Sequence, residues 1–111
     1  MNAEELKLKL KELLGSQIEF NRDFDSYASE LGNQDQNLLE WCKILAQGGI
    51  RPIPSPKLKD SILFIKKIGS TNRCIVIKLR NKEFKEVHLG DHAYYDKLRK
   101  ILGIKKDNRY Y

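Results

Sequence analysis

Pro52, Pro54 and Pro56 alternate in a stretch that must run extended and that, short of amide donors, cannot join the middle of a sheet. They separate two textures. Before them apolar residues recur at helical spacing, and from Ser61 onward they come in β-branched runs. A chain of 111 residues has room for one core, so both halves must share it. The prolines are a connector within one domain, too short to be a linker between two.

In the first half, Asn2 can cap a helix with Glu5 three residues on. Ala3, Leu6, Leu10, Leu13 and Leu14 fall on one face of that helix, Leu8 lies off the stripe, and Gly15 supplies a stop. The run Ser16 to Phe20 alternates polar and apolar, as a half-buried strand does. Phe24, Tyr27, Ala28 and Leu31 then repeat at helical spacing. A further helix from about Gln34 to Gln47 carries Leu38, Trp41, Cys42 and Leu45 on its buried stripe. A tight turn at Gly32-Asn33 makes the two an αα-hairpin.

The second half reads as a meander. Ile62 to Ile65 is a strand and Gly69 to Asn72 a turn, and Cys74 to Leu79 is the most β-branched segment in the protein. Asn81-Lys82 suits a two-residue hairpin turn, Asn tolerating the positive φ it needs. Phe84 to Leu89 is the return strand. Asp91 then caps a final helix, expected to be buried through Tyr94 or Tyr95, Leu98, Ile101 and Leu102 and to stop at Gly103. Residues 1–15 are an additional helix, 16–103 the core of the domain, and 104–111 a basic, aromatic tail. The order implies an α+β fold, with helices segregated to one side of an antiparallel sheet.

Charge is unevenly shared. Residues 1–50 carry five Lys/Arg against nine Asp/Glu, and residues 51–111 carry sixteen against six. That split implies one surface suited to phosphate, although a solvated basic face has the same composition. The first residues include no apolar run of the kind a secretory leader needs, and no stretch is long enough to span a bilayer. Cys42 and Cys74 both sit in apolar runs, which reads as buried thiols in a reducing cytosol. With those cysteines distant, and with His88 and His92 straddling a strand end and a helix start, no metal site is expected. No Gly-rich phosphate loop and no Ser/His/Asp arrangement occurs. No cofactor is implied.

In the order of its elements the chain resembles the RelE/ParE toxin superfamily. The residues that carry the resemblance are Ile18-Glu19-Phe20, Lys57-Leu58-Lys59-Asp60, Ile65-Lys66-Lys67-Ile68, Asn72-Arg73-Cys74-Ile75-Val76 and His88-Leu89-Gly90-Asp91-His92-Ala93-Tyr94-Tyr95. They span roughly Gln17 to Leu102, with the first helix outside the match. RelE-like members cleave mRNA at the ribosome and are neutralised by an antitoxin. ParE-like members share the fold, lack nuclease activity and inhibit DNA gyrase. The resemblance therefore implies RNA cleavage, with gyrase inhibition or a catalytically silent nucleic-acid-binding module as alternatives.

Cleavage by the RNA's own 2′-hydroxyl needs a base, an acid and cations around the phosphorus. The resemblance assigns Arg73 and Lys67 to the phosphate, His92 to proton transfer and Tyr95 to the position of the family's active-site tyrosine. An imidazole exchanges protons near neutrality, and a guanidinium can grip an oxyanion with two donors. Lys57, Lys59 and Lys66 are expected to hold flanking RNA, and Tyr94 to stack on a nucleotide. Each has a plainer reading: exposed lysines are common, and a tyrosine at helical spacing from Leu98 can be core. Ile65 stands where the family carries a second lysine, and Asn72 where many members have an aromatic residue. The expected partners are mRNA, the ribosome and an antitoxin in the cytoplasm. The Leu6/Leu10/Leu13 stripe has three uses: packing on its own core, filling the antitoxin groove, or pairing two copies.

Overall fold

The computed structural model describes residues 1–110, and Tyr111 at the end of the expected tail lies outside them. Helix α1 (Ala3–Leu14) begins where Asn2 Oδ1 accepts the Glu5 amide at 2.9 Å. Strand β1 (Glu19–Phe20), helices α2 (Phe24–Ser29) and α3 (Gln34–Ala46), and the two-residue strand β2 (Ile53–Pro54) follow. Next come β3 (Ser61–Ile68), β4 (Asn72–Leu79) and β5 (Phe84–Asp91), then α4 (His92–Leu102) and a closing 3-10 turn (Asn108–Tyr110).

The fold is α+β. Its five strands stand in the order β1-β5-β4-β3-β2, antiparallel except that β1 runs parallel to β5. The sheet is therefore mixed. Asn21 extends this short edge pairing by one step. Its Nδ2 donates to the Leu89 carbonyl and its Oδ1 accepts the Leu89 amide, both at 2.9 Å, as a strand backbone would. The proline connector supplies β2 at the opposite edge, where a missing amide does least harm.

Helices cover both faces, and this corrects the expectation that they gather on one side. From Cys74 to Ile77 β4 is apolar on both faces, so each face of the sheet needs a cover. On one face Phe64, Ile68, Cys74, Val76, Val87 and Leu89 pack under α1, α2 and α3. On the other, Leu63, Ile65, Ile75 and Ile77 meet Tyr95 and Leu102 from α4. The α1 stripe of Leu6, Leu10 and Leu14 is buried in its own core, while Leu8 is 61% exposed. Leu13 packs against the same cluster partly buried, so of the three uses the one seen is packing on its own core.

Two local expectations need correcting. Asn81 does hold a positive φ of 60°, but the connection is four residues long, with Leu79 donating to Glu83 and a register shift at Ile77/Lys78. Ile101 is 67% exposed. At about 100° per residue it lies well around the helix from the line of Tyr95 and Leu102. Cys42 and Cys74 are both buried in the larger cluster, as their apolar setting predicts.

Candidate functional site

Cross-strand pairing sets Lys67 opposite Arg73 and Arg73 opposite Gly90. Residues directly opposed in a sheet share a face. This row therefore continues the face that α4 covers, one step beyond the row Ile65, Ile75, His88. His92 starts α4 two residues after Gly90 and lines an open hollow of about 700 Å³ with Ser70, Thr71, Asp91, Asp96, Arg99 and Lys106. Asp91 Oδ1 accepts the Tyr94 amide at 2.8 Å and fixes where the helix begins.

Lys67 and His92 are exposed, but Arg73 is only 1% exposed. Its Nη1 donates to the carbonyls of Asn72, at 2.9 Å, and Ser70, at 3.4 Å. Its Nε donates to the carbonyl of Tyr110, in the segment that returns after α4. The arginine expected to grip phosphate thus already holds backbone oxygens.

Other expected site residues disperse. Tyr95 is wholly enclosed between Leu63, Ile65, Ile75, Ile77 and Leu102, so it is core and touches no ligand in this conformation. Ile65 is buried in the same cluster. Lys66 pairs with Cys74, so it faces the α3 side, where it borders a smaller hollow with Gln34, Glu40 and Trp41. Lys57 donates from Nζ to the Lys100 carbonyl at 3.2 Å, at the far end of α4. Lys59 lies with Asp60, Arg80 and Lys82 at that same end, since Ser61 pairs with Leu79. Six residue steps along β3 separate that row from the Lys67/Arg73 row, about 20 Å at 3.3 Å per residue. Neither lysine joins the Arg73 and His92 group.

The structure also assembles a chain of side chains beside the row. Glu86 Oε1 lies 3.0 Å from His88 Nε2, and His88 Nδ1 lies 2.7 Å from the Tyr94 hydroxyl. An ionised carboxylate only accepts, so in the neutral imidazole Nε2 carries the proton and the tyrosine hydroxyl donates to Nδ1. The His88 hydrogen bond holds the Glu86 carboxyl below its ordinary range, against the opposing effect of burial. Burial, and then the Glu86 charge, pushes the Tyr94 phenol up. Tyr94 lies over Gly90, where an added Cβ would stand 2.3 Å from its ring, so it packs against the sheet and is not presented for stacking. The alternation of Glu86 and His88 on β5 was legible in the sequence; their bond to Tyr94 was not, because it crosses a strand-to-helix turn.

Ser70, Thr71, Asp96, Arg99 and Lys106 are lining residues that sequence reasoning missed. The one local signal was the Asp96/Arg99 spacing, which forms an ion pair at 2.8 Å. Among the described residues no group of three His, Cys, Asp or Glu side chains is placed to hold a metal ion, and no helix is long and apolar enough to cross a membrane. Comparison with known proteins finds no matching family model, no matching curated protein and no matching solved structure.

Proposed function

We propose that this chain is a toxin-type endoribonuclease of RelE-like build, cutting mRNA at the ribosome in the cytosol and restrained by a partner antitoxin. The observation that carries the reading is the row Lys67, Arg73, Gly90 with His92 just beyond it at the head of α4. Arg73 pairs with Lys67 on one side and Gly90 on the other, and His92, two residues after Gly90, lines the open hollow, while Lys67 borders the smaller one.

In the reaction the 2′-oxygen attacks phosphorus and the bond from phosphorus to the 5′-oxygen breaks, leaving a 2′,3′-cyclic phosphate. One proton leaves the 2′-hydroxyl and one reaches the departing oxygen. His92 carries out one of these transfers, and the other proton is exchanged with solvent water. Lys67 and Arg73 stabilise the charge that builds on the phosphoryl oxygens, where fixed cations act most strongly. No metal takes part in this scheme.

A catalytically silent RNA-binding module is the second reading. The enclosure of Tyr95, the presence of Ile65 where the family carries a lysine, and the backbone partners of Arg73 favour it, because they leave fewer groups to move protons or to hold phosphate.

Reporter mRNA in a translating extract, mapped by primer extension, tests the choice. Lys67→Ala and His92→Ala are the variants to compare, since both side chains are exposed and their loss leaves the core intact. Under the nuclease reading the wild type cuts in a translation-dependent way, and His92→Ala slows cutting by about a hundredfold or more. Intact message under saturating wild-type protein refutes the nuclease and leaves the binding module.

A further inference from the structure

After Gly103 the chain turns back on itself and travels the length of α4 toward the Arg73 end of the sheet. The Ile104 amide donates to the Arg99 carbonyl at 2.8 Å, and the Arg99 Nη1 donates to the Ile104 carbonyl at 3.4 Å. Ile104 and Tyr110 pack against the apolar cluster on this face, both only partly buried. Between them Asp107 shapes the 3-10 turn: its carboxylate accepts the Arg109 amide at 2.9 Å, and its carbonyl accepts the Tyr110 amide at 3.0 Å. The turn delivers the Tyr110 carbonyl to Arg73 Nε.

A carbonyl oxygen is a neutral acceptor. A phosphodiester oxygen offers the same guanidinium a charged acceptor, which makes a shorter and stronger bond. The apolar fastening of the segment is light, two partly buried side chains, and its hydrogen bonds to the body run through Ile104 at one end and the Tyr110 carbonyl at the other. The segment carries Lys105, Lys106 and Arg109, so a polyanion draws it as well as Arg73.

From this we infer that Ile104–Tyr110 is an internal pseudo-ligand: the Tyr110 carbonyl occupies the position on Arg73 that a phosphodiester oxygen takes when RNA binds, and the segment lifts to admit it. The inference rests on the RNA reading of the Lys67/Arg73/His92 end and adds a gate to it. A site open about one tenth of the time binds about tenfold more weakly than one always open, so loosening the segment raises affinity by that order.

The test compares the full chain with a double variant, Ile104→Ser and Tyr110→Ala, and with Asp107→Ala, which spares the apolar cluster but removes the turn's carboxylate and its ion pair with Arg109, so that Arg73 modification, and not affinity alone, reports the gate. Circular dichroism confirms that each remains folded. Two quantities are read: the rate at which phenylglyoxal modifies Arg73, located by peptide mass spectrometry, and the Kd for a short single-stranded RNA at fixed salt. Expected are faster Arg73 modification and tighter RNA binding in both variants, stronger in the double one, with the affinity gain abolished by adding Arg73→Lys. Unchanged Arg73 modification in both variants overturns the gate and leaves the RNA reading standing. Faster modification with RNA affinity unmoved overturns the RNA reading, and with it the pseudo-ligand role.

Discussion

Gly90→Ala should destabilise the protein through one identifiable side chain, Tyr94. A Cβ built on Gly90 would stand 2.3 Å from Tyr94 Cδ2, 2.5 Å from Cγ and 2.6 Å from Cβ. Carbon atoms pack comfortably at about 3.5–4.0 Å, so the ring must leave. Its departure breaks the 2.7 Å contact with His88, worth about 1 kcal/mol, and removes the ring from Tyr27, whose centroid lies 6.2 Å away. That tilted ring pair contributes about 0.5–1 kcal/mol. Residual overpacking adds about 1–3 kcal/mol, and the stiffer unfolded chain of an alanine returns about 0.4–1 kcal/mol. The net expectation is a loss of about 2–3 kcal/mol in urea unfolding of the purified chain. In a Tyr94→Ala background two of the three close contacts are gone and the Cβ contact remains, so the same substitution should cost less by about 1 kcal/mol or more. An equal cost in both backgrounds would falsify the steric argument, as would a single-variant loss below about 0.5 kcal/mol.

Glu86→Gln tests the carboxylate that His88 holds down. Its folded pKa lies below the ordinary 4.5, so its contribution is full above that value and fades as the pH falls through the folded pKa. Urea unfolding should show a deficit of about 1 kcal/mol near neutral pH that shrinks as the pH falls below the ordinary carboxylate range; a deficit that stays constant rejects the assignment. Asn21→Ala removes both bonds to Leu89 and leaves the amide and carbonyl of that fully buried residue without the side chain. A loss of about 2 kcal/mol is expected, with faster hydrogen exchange at Leu89, and unaltered exchange there refutes the strand-mimic role. Burial pushes the Cys42 thiol up to about 12 and Cys74 well above its usual range, so a thiol reagent near neutrality should label neither in the folded state and both in urea. Rapid labelling of the native protein contradicts that packing.

Much of the candidate site was legible one residue at a time. Arg73 at the start of β4, Lys67 before the turn and His92 behind the Asp91 cap were each placed correctly along their elements, because each position follows from local periodicity and capping. Their company was less legible. Lys57 and Lys59 are near Ser61 in sequence, but β3 carries the chain about 20 Å from them before it reaches Lys67. Choosing between Tyr94 and Tyr95 as the buried tyrosine required knowing which line of α4 meets the sheet, and helical spacing alone allowed both.

The sequence by itself determined the order of the four helices, of β1 and of the meander β3–β5, though not β2 or the closing 3-10 turn, and it determined the caps at Asn2 and Asp91, the positive φ at Asn81 and the burial of both cysteines. These depend on interactions within a few residues, or on whether a face is apolar. Only the tertiary structure decided that β1 lies parallel beside β5, that α4 covers the face opposite the other helices, and that the last residues return to Arg73. Each of these is a match between segments far apart in the chain. The loop-closure cost of bringing such segments together depends only weakly on the length between them, so shape and hydrogen-bond complementarity across the core made the choice.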